Sequence, residues 1–195
     1  MKKILTLALP LFLFAAPLWA ASYKIDPAHT QVLFKVRHLG ISSVTGRFEA
    51  IEGSLTFDPQ NIEASKTAVT LDVSSINTNQ EKRDGHLKSC DFFCLEKFPK
   101  MTFTSKKVKV LGVGKFQVIG DLTLHGVTKE VLLDAQFNGE AKDPYGNERA
   151  GFSASASLNR KDYGLTWDKL TEAGGIMVGS EVTISIDIEA VKEKN

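Results

Sequence analysis

Val32-Leu33-Phe34-Lys35-Val36-Arg37-His38 sets Val32, Phe34, Val36 and His38 on one face and Leu33, Lys35 and Arg37 on the other. A period of two with one apolar side is the pattern of a half-buried β-strand. The same row recurs at Gly53, Leu55, Phe57, at Val69, Leu71, Val73, and at Met101, Phe103. It continues through Phe116, Val118, Gly120, Leu122, Leu124 and through Val131, Leu133, Ala135, Phe137. Phe152, Ala154, Ala156, Leu158 and finally Val182, Ile184, Ile186, Ile188 complete it. Nearly every long segment therefore reads as a strand.

Turn signals separate these rows: Asp58-Pro59, His125-Gly126, Asp143-Pro144-Tyr145-Gly146-Asn147 and Gly174-Gly175. Links this short join antiparallel neighbours, because a parallel pair needs a crossover of about a dozen residues or more. The stretch from Thr78 to Phe98 lacks alternation and is expected to be helical over about 79–96, two to four turns long with a break near Asp91. Asn77, Thr78 or Asn79 would cap it, Glu81 would stand in its first turn, and Pro99 would end it.

Strands with one apolar face must pack as a sandwich or close on themselves. A set of about eight around one helix suits a barrel, and such a barrel has room for one small ligand. Gly120, Ala154 and Ala156 place small groups on the inner face among bulky Phe116, Leu122 and Phe152. They either shape a cavity or make room for large side chains opposite.

Upstream of the strands, Lys2 and Lys3 precede the apolar run Ile4 to Ala16, and small residues follow at Ala20, Ala21 and Ser22. That order is expected to be a secretory signal peptide over 1–20, cut after Ala20, leaving one domain over 21–195. The expected location is the periplasm, with secretion as the alternative, and no stable membrane insertion is expected. Without the two leader lysines, 22 basic residues face 23 acidic ones, a formal charge of −1. That balance implies no nucleic-acid partner. The two cysteines, Cys90 and Cys94, would meet an oxidising compartment, and their spacing is compatible with a disulfide without demanding one. With His86 they would line one stripe of a continuous helix, but no fourth zinc ligand is evident and no metal is expected.

No nucleophile–base constellation, phosphate loop or metal-binding helix motif appears, and the four histidines are scattered over separate segments. The chain is therefore expected not to be an enzyme and to need no cofactor. The alternative is a small-molecule enzyme using Asp84 and His86 as an acid–base pair in a barrel pocket, or a structural barrel with a filled interior. Arg83, Asp84 and His86 are also candidates to bond the polar head of an amphiphile at one barrel end. His38 ends an inward row, where a histidine is more often a hydrogen-bonded core residue, or else a polar group aimed at a ligand. Phe92, Phe93, Phe103, Phe152 and Trp167 would line an elongated pocket or simply fill a core.

Several motifs together carry a family resemblance: Tyr23-Lys24-Ile25-Asp26 with His29; Phe34-x-Val36-x-His38-Leu39-Gly40; Gly46-x-Phe48; Asn77-Thr78; and Arg83-Asp84-x-His86-Leu87-Lys88-Ser89. They continue with Asp91-Phe92-Phe93, Phe98-Pro99, Gly120-Asp121-Leu122-Thr123-Leu124-His125-Gly126-Val127-Thr128 and Arg149-x-Gly151-Phe152. In these the chain resembles the YceI-like family of lipocalin-like, polyisoprenoid-binding periplasmic proteins. The resemblance implies an extended eight-stranded antiparallel barrel, all-β except for a helix near its mouth. It implies a long apolar tunnel, a bound polyisoprenoid or fatty-chain lipid, and a homodimer. The cysteines around Asp91-Phe92-Phe93 depart from the family pattern. The lining candidates, taken from alternation, are Phe34, Val36, His38, Phe48, Phe92, Phe93, Phe103, Leu122, Phe152, Ala154, Ala156 and Trp167.

Overall fold

The structure is a computed structural model that describes residues 20–170 and 174–194. The expected leader lies outside the described residues, apart from Ala20 at its end. The strands are β1 (Ala21–Ile25), β2 (Gln31–His38), β3 (Ser42–Phe48), β4 (Ile51–Phe57), β5 (Lys66–Asp72) and β6 (Ile76–Asn77). After the helix α1 (Glu81–Lys88) come β7 (Lys100–Gly112), β8 (Lys115–Leu124), β9 (Val127–Lys142), β10 (Glu148–Asn159) and β11 (Val178–Lys192).

Hydrogen bonds join the strands in the order β1-β4-β5-β7-β8-β9-β10-β11, and β11 returns to β1, so eight antiparallel strands close a barrel. Three of the staves are made of two pieces. β2 continues β1 along β11, β3 leads into β4, and β6 continues β5. The break between β1 and β2 falls where Pro27, which has no N–H for a ladder, opens a short turn held by Asp26 accepting the Ala28 amide. This meander puts the β4–β5, β7–β8 and β9–β10 links at one end of the barrel, and α1 with the β2–β3, β8–β9 and β10–β11 links at the other.

Two local features shape the wall. The β9–β10 ladder stops at Asp134 opposite Ser155, although β9 runs on along β8 and β10 along β11. In β7 the register against β8 shifts between Ser105 and Lys107, which makes Lys106 an extra residue. Such a bulge changes which alternate residues face inward. Met101 and Phe103 point in before it and Val108 after it, with Lys107 and Lys109 left outside.

The helix is shorter than the sequence suggests. Gln80, not Asn77, Thr78 or Asn79, caps it by accepting the Arg83 amide, and it ends at Lys88 where Ser89 is extended. Cys90 and Cys94 form a disulfide with their Cα atoms 3.8 Å apart. In a helix, residues four apart are separated by about 6 Å along the axis, so helix cannot run through this pair. The chain instead folds into turns in which Ser89 O accepts both the Phe92 and Cys94 amides. No helix among the described residues is long and apolar enough to cross a membrane.

Side chains seal the helix end. Phe48, Val73, Ile76, Phe92, Met101, Leu124, Tyr163 and Leu165 form one buried cluster, against which Phe34, Leu87, Phe93 and Trp167 pack. The buried Arg160, 5 % exposed, pins the β10–β11 link by donating to the carbonyls of Leu165, Trp167, Val178 and Gly179. Burial lowers its pKa, and Asp168 opposes that shift. On the side wall, Arg149 reaches Asp26, Asp143 and Glu189 and so ties β1, the β9–β10 turn, β10 and β11 together.

Candidate functional site: an apolar cavity inside the barrel

The interior is not filled. Between the three buried clusters lies a cavity with about 1270 Å³ of empty space, its open part included. Every long strand contributes to its wall: Leu55 from β4, Leu71 from β5, Phe103 and Val108 from β7, Phe116 and Val118 from β8, Leu133 from β9, Phe152 from β10 and Ile186 from β11. Among the described residues Lys66 is the single charged side chain in the lining. The other polar lining residues form two sets, Thr56, Thr67, Thr102 and Ser105 on β4, β5 and β7 with Ser65 just before β5, and Ser153 and Ser157 on β10.

Ser65 differs from the rest of that set. Its Oγ is buried and has no hydrogen-bond partner among the described residues. A buried hydroxyl is normally satisfied, so this one is available to a ligand group. Ser65 and Lys66 stand at the barrel end opposite α1.

The small residues serve both roles the sequence left open. Ala154 and Ala156 line the cavity. Gly120 seats a neighbour instead: a Cβ there would come within 2.5 Å of the Phe103 ring across the β7–β8 pair. Gly46 does the same for Phe34 and the Thr78 methyl.

Of the sequence candidates, Phe103, Leu122, Phe152, Ala154 and Ala156 line the cavity. Phe34, Phe48, Phe92, Phe93 and Trp167 belong to the aromatic plug, with Phe48 packed edge-on to Phe93 at 5.9 Å. Val36 and His38 lie beyond Phe34 on β2, outside the lining, and pair with Val182 and Val178 of β11. Arg83, Asp84 and His86 do not reach the cavity either. Arg83 donates to the Thr78 hydroxyl and carbonyl, while Asp84 accepts the Thr78 amide at 2.9 Å and its hydroxyl at 2.5 Å. This pair therefore clamps β6 to α1 around a threonine that is 4 % exposed. His86 meets Asp91 at 2.8 Å and stands edge-on to Phe92 and Trp167, so it anchors the disulfide loop over the plug. Asp84 and His86 take different partners and make no pair with each other.

Sequence reasoning missed Ser65 and Lys66, which precede the β5 alternation and carry no pattern. It also missed Arg149 and Arg160 as organisers, since Arg160 binds backbone carbonyls, which leave no mark in the sequence, and Arg149 reaches Asp26 and Glu189 far along the chain. Leu55, Val118, Leu133 and Ile186 had a signal, because all sit in the inward rows, but aromatic residues drew the selection away from them.

Residues 23–190 match the YceI-like domain. The chain belongs to the YceI-like family. Its relatives include the protein YceI of Salmonella arizonae, 42 % identical with all of both chains covered. The YceI-like barrel is also similar to the solved YceI protein of Campylobacter jejuni, with a TM-score of 0.70 and 36 % identity over 82 % of this chain and 90 % of that one. A polyisoprenoid binding domain from Saccharophagus degradans shares the fold, with a TM-score of 0.65 and 18 % identity over 89 % of this chain and 99 % of that one. The eight-stranded lipocalin-like barrel expected from the sequence is thus the architecture of this YceI-like chain and of its solved relatives.

Proposed function

We propose that the protein is a binding and carrier protein for one long-chain amphiphile, a polyisoprenoid or fatty-chain lipid, held in the barrel cavity. The observation that carries this reading is the cavity itself, lined almost wholly by hydrocarbon and phenyl groups with one charged residue. Such a wall offers a polar substrate a single charge, that of Lys66, whereas each buried CH₂ of a lipid contributes about 0.8 kcal/mol. The Saccharophagus degradans domain of the same fold is described as polyisoprenoid binding, which favours a prenyl chain over a straight acyl chain. On this reading the polar end of the ligand lies at Ser65, whose hydroxyl has no partner among the described residues, with Lys66 beside it. On this reading the protein is not an enzyme, uses no cofactor, and works in the periplasm after export.

Denaturing organic extraction of the purified protein, followed by mass spectrometry, tests this. A prenyl or fatty-chain compound near one per chain is expected. Protein that yields nothing and also fails to take up added polyprenol would sink the reading.

A further inference from the structure

We propose that the β7–β8 hairpin is a docking element for an anionic lipid surface. At its tip Val110, Leu111 and Val113 are exposed, Val113 completely. The register against β8 shifts between Val110 and Gly112, which makes Leu111 an extra residue, and the two successive apolar side chains Val110 and Leu111 are both exposed there. Gly114, at φ +65°, turns the chain back into β8.

The tip is also the basic point of a nearly neutral protein. Residues 106–115 contain Lys106, Lys107, Lys109 and Lys115 and no acid. Lys106 is already held by Asp121 and Glu130, at 3.1 and 3.0 Å. Lys107, Lys109 and Lys115 make no ion pair among the described residues, and Lys109 and Lys115 face Gln117 and Gln136 across the ladders. An apolar tip ringed by unpaired lysines matches a bilayer interface: the apolar groups enter the acyl boundary while the ammonium groups meet anionic headgroups. A second set of exposed apolar residues, Leu39, Ile41, Leu170 and Ile176, lies at the opposite end, over the aromatic plug. The hairpin shares its end with Ser65 and Lys66, so docking there would turn the ligand's polar end toward the membrane. Only that consequence rests on the proposed function; the docking itself stands on the hairpin.

Vesicle co-sedimentation tests it. Every strand among the described residues begins at or after Ala21, so protein starting at Ala21 avoids the apolar run 4–16, which would itself enter vesicles. Wild type should bind vesicles of phosphatidylcholine mixed with phosphatidylglycerol and stay in solution with phosphatidylcholine alone. The Lys107→Gln, Lys109→Gln, Lys115→Gln variant should bind about a hundredfold more weakly, at about fivefold per lysine. A Leu111→Ser, Val113→Ser variant should lose binding, whereas Ile41→Ser, Leu170→Ser should keep it. Each variant's thermal melt establishes that it is folded, and a Val113→Trp variant should blue-shift its emission on the mixed vesicles. The proposal is overturned if wild type ignores both vesicles or binds both equally, if the hairpin variants bind normally, or if only the Ile41 variant fails. It is equally overturned if the hairpin changes alter only self-association, measured by light scattering. Extracting lipid from the same samples separates this outcome from the carrier reading, because a docking-deficient variant should retain its cavity ligand.

Discussion

Ala156 and Val36 show how much a single position decides. Both stood in inward rows of the sequence, yet only Ala156 borders the cavity. Ala156→Trp should therefore fill the space and abolish prenol uptake with the fold retained, whereas Val36→Trp should leave uptake unchanged; titration with a fluorescent polyprenol analogue distinguishes them. Ser65→Ala should weaken the same titration about fivefold, the worth of one hydrogen bond of about 1 kcal/mol. Gly46→Val, which pushes into the Phe34 ring, should cost about 1–3 kcal/mol of stability in urea unfolding. Periodicity could identify Ala156 because alternation reports the face of a strand. It could not exclude Val36, because alternation says nothing of depth along the barrel axis, and depth separates cavity from plug. Arg83 and Asp84 were misread for a related reason. Their charge suggested solvent or ligand, while their partner, Thr78, carries no charge and gives no signal.

The strands were legible as elements because each repeats a short period over many residues, and the helix was legible only in part. Its start and its presence followed from the loss of alternation between Thr78 and Phe98, but its end depends on the bond between Cys90 and Cys94. That bond holds the loop carrying Phe92 and Phe93 into the plug. Replacing both cysteines by serine should lower stability by about 2 kcal/mol, the loop-entropy value for so short a ring. Reductant should reproduce the loss in wild type and have no effect on the variant, as read by denaturant midpoints.

Across the whole molecule, closure depends on joining the first stave to the last, and Asp26 stands at that junction. Its hydrogen bonds with His29 and Arg149 lower its pKa from 3.8 to about 2. The folded carboxylate stays ionised where the unfolded chain has already bound a proton, so its contribution is present above about pH 4 and is lost as pH falls toward 2. Thermal melts across that window should show a falling midpoint, and His29→Ala or Arg149→Met should flatten the fall. Sequence could foresee that a barrel would close, since eight half-apolar strands leave few other solutions. It could not foresee the ionic fastening, whose members lie more than a hundred residues apart.

The extra residue in β7 gives that strand something like a reading frame in space. Up to Ser105 the odd-numbered residues face the interior, and beyond Lys106 the even-numbered Val108 does. The bulge, not the length of the strand, keeps the two halves in frame: with Lys106 kept and the bulge flattened, Val108 would turn to solvent and Lys107 and Lys109 would point into the cavity. Deleting Lys106 removes the extra residue and the bulge together, so both halves stay in frame, and lipid uptake should survive that deletion in the same polyprenol titration.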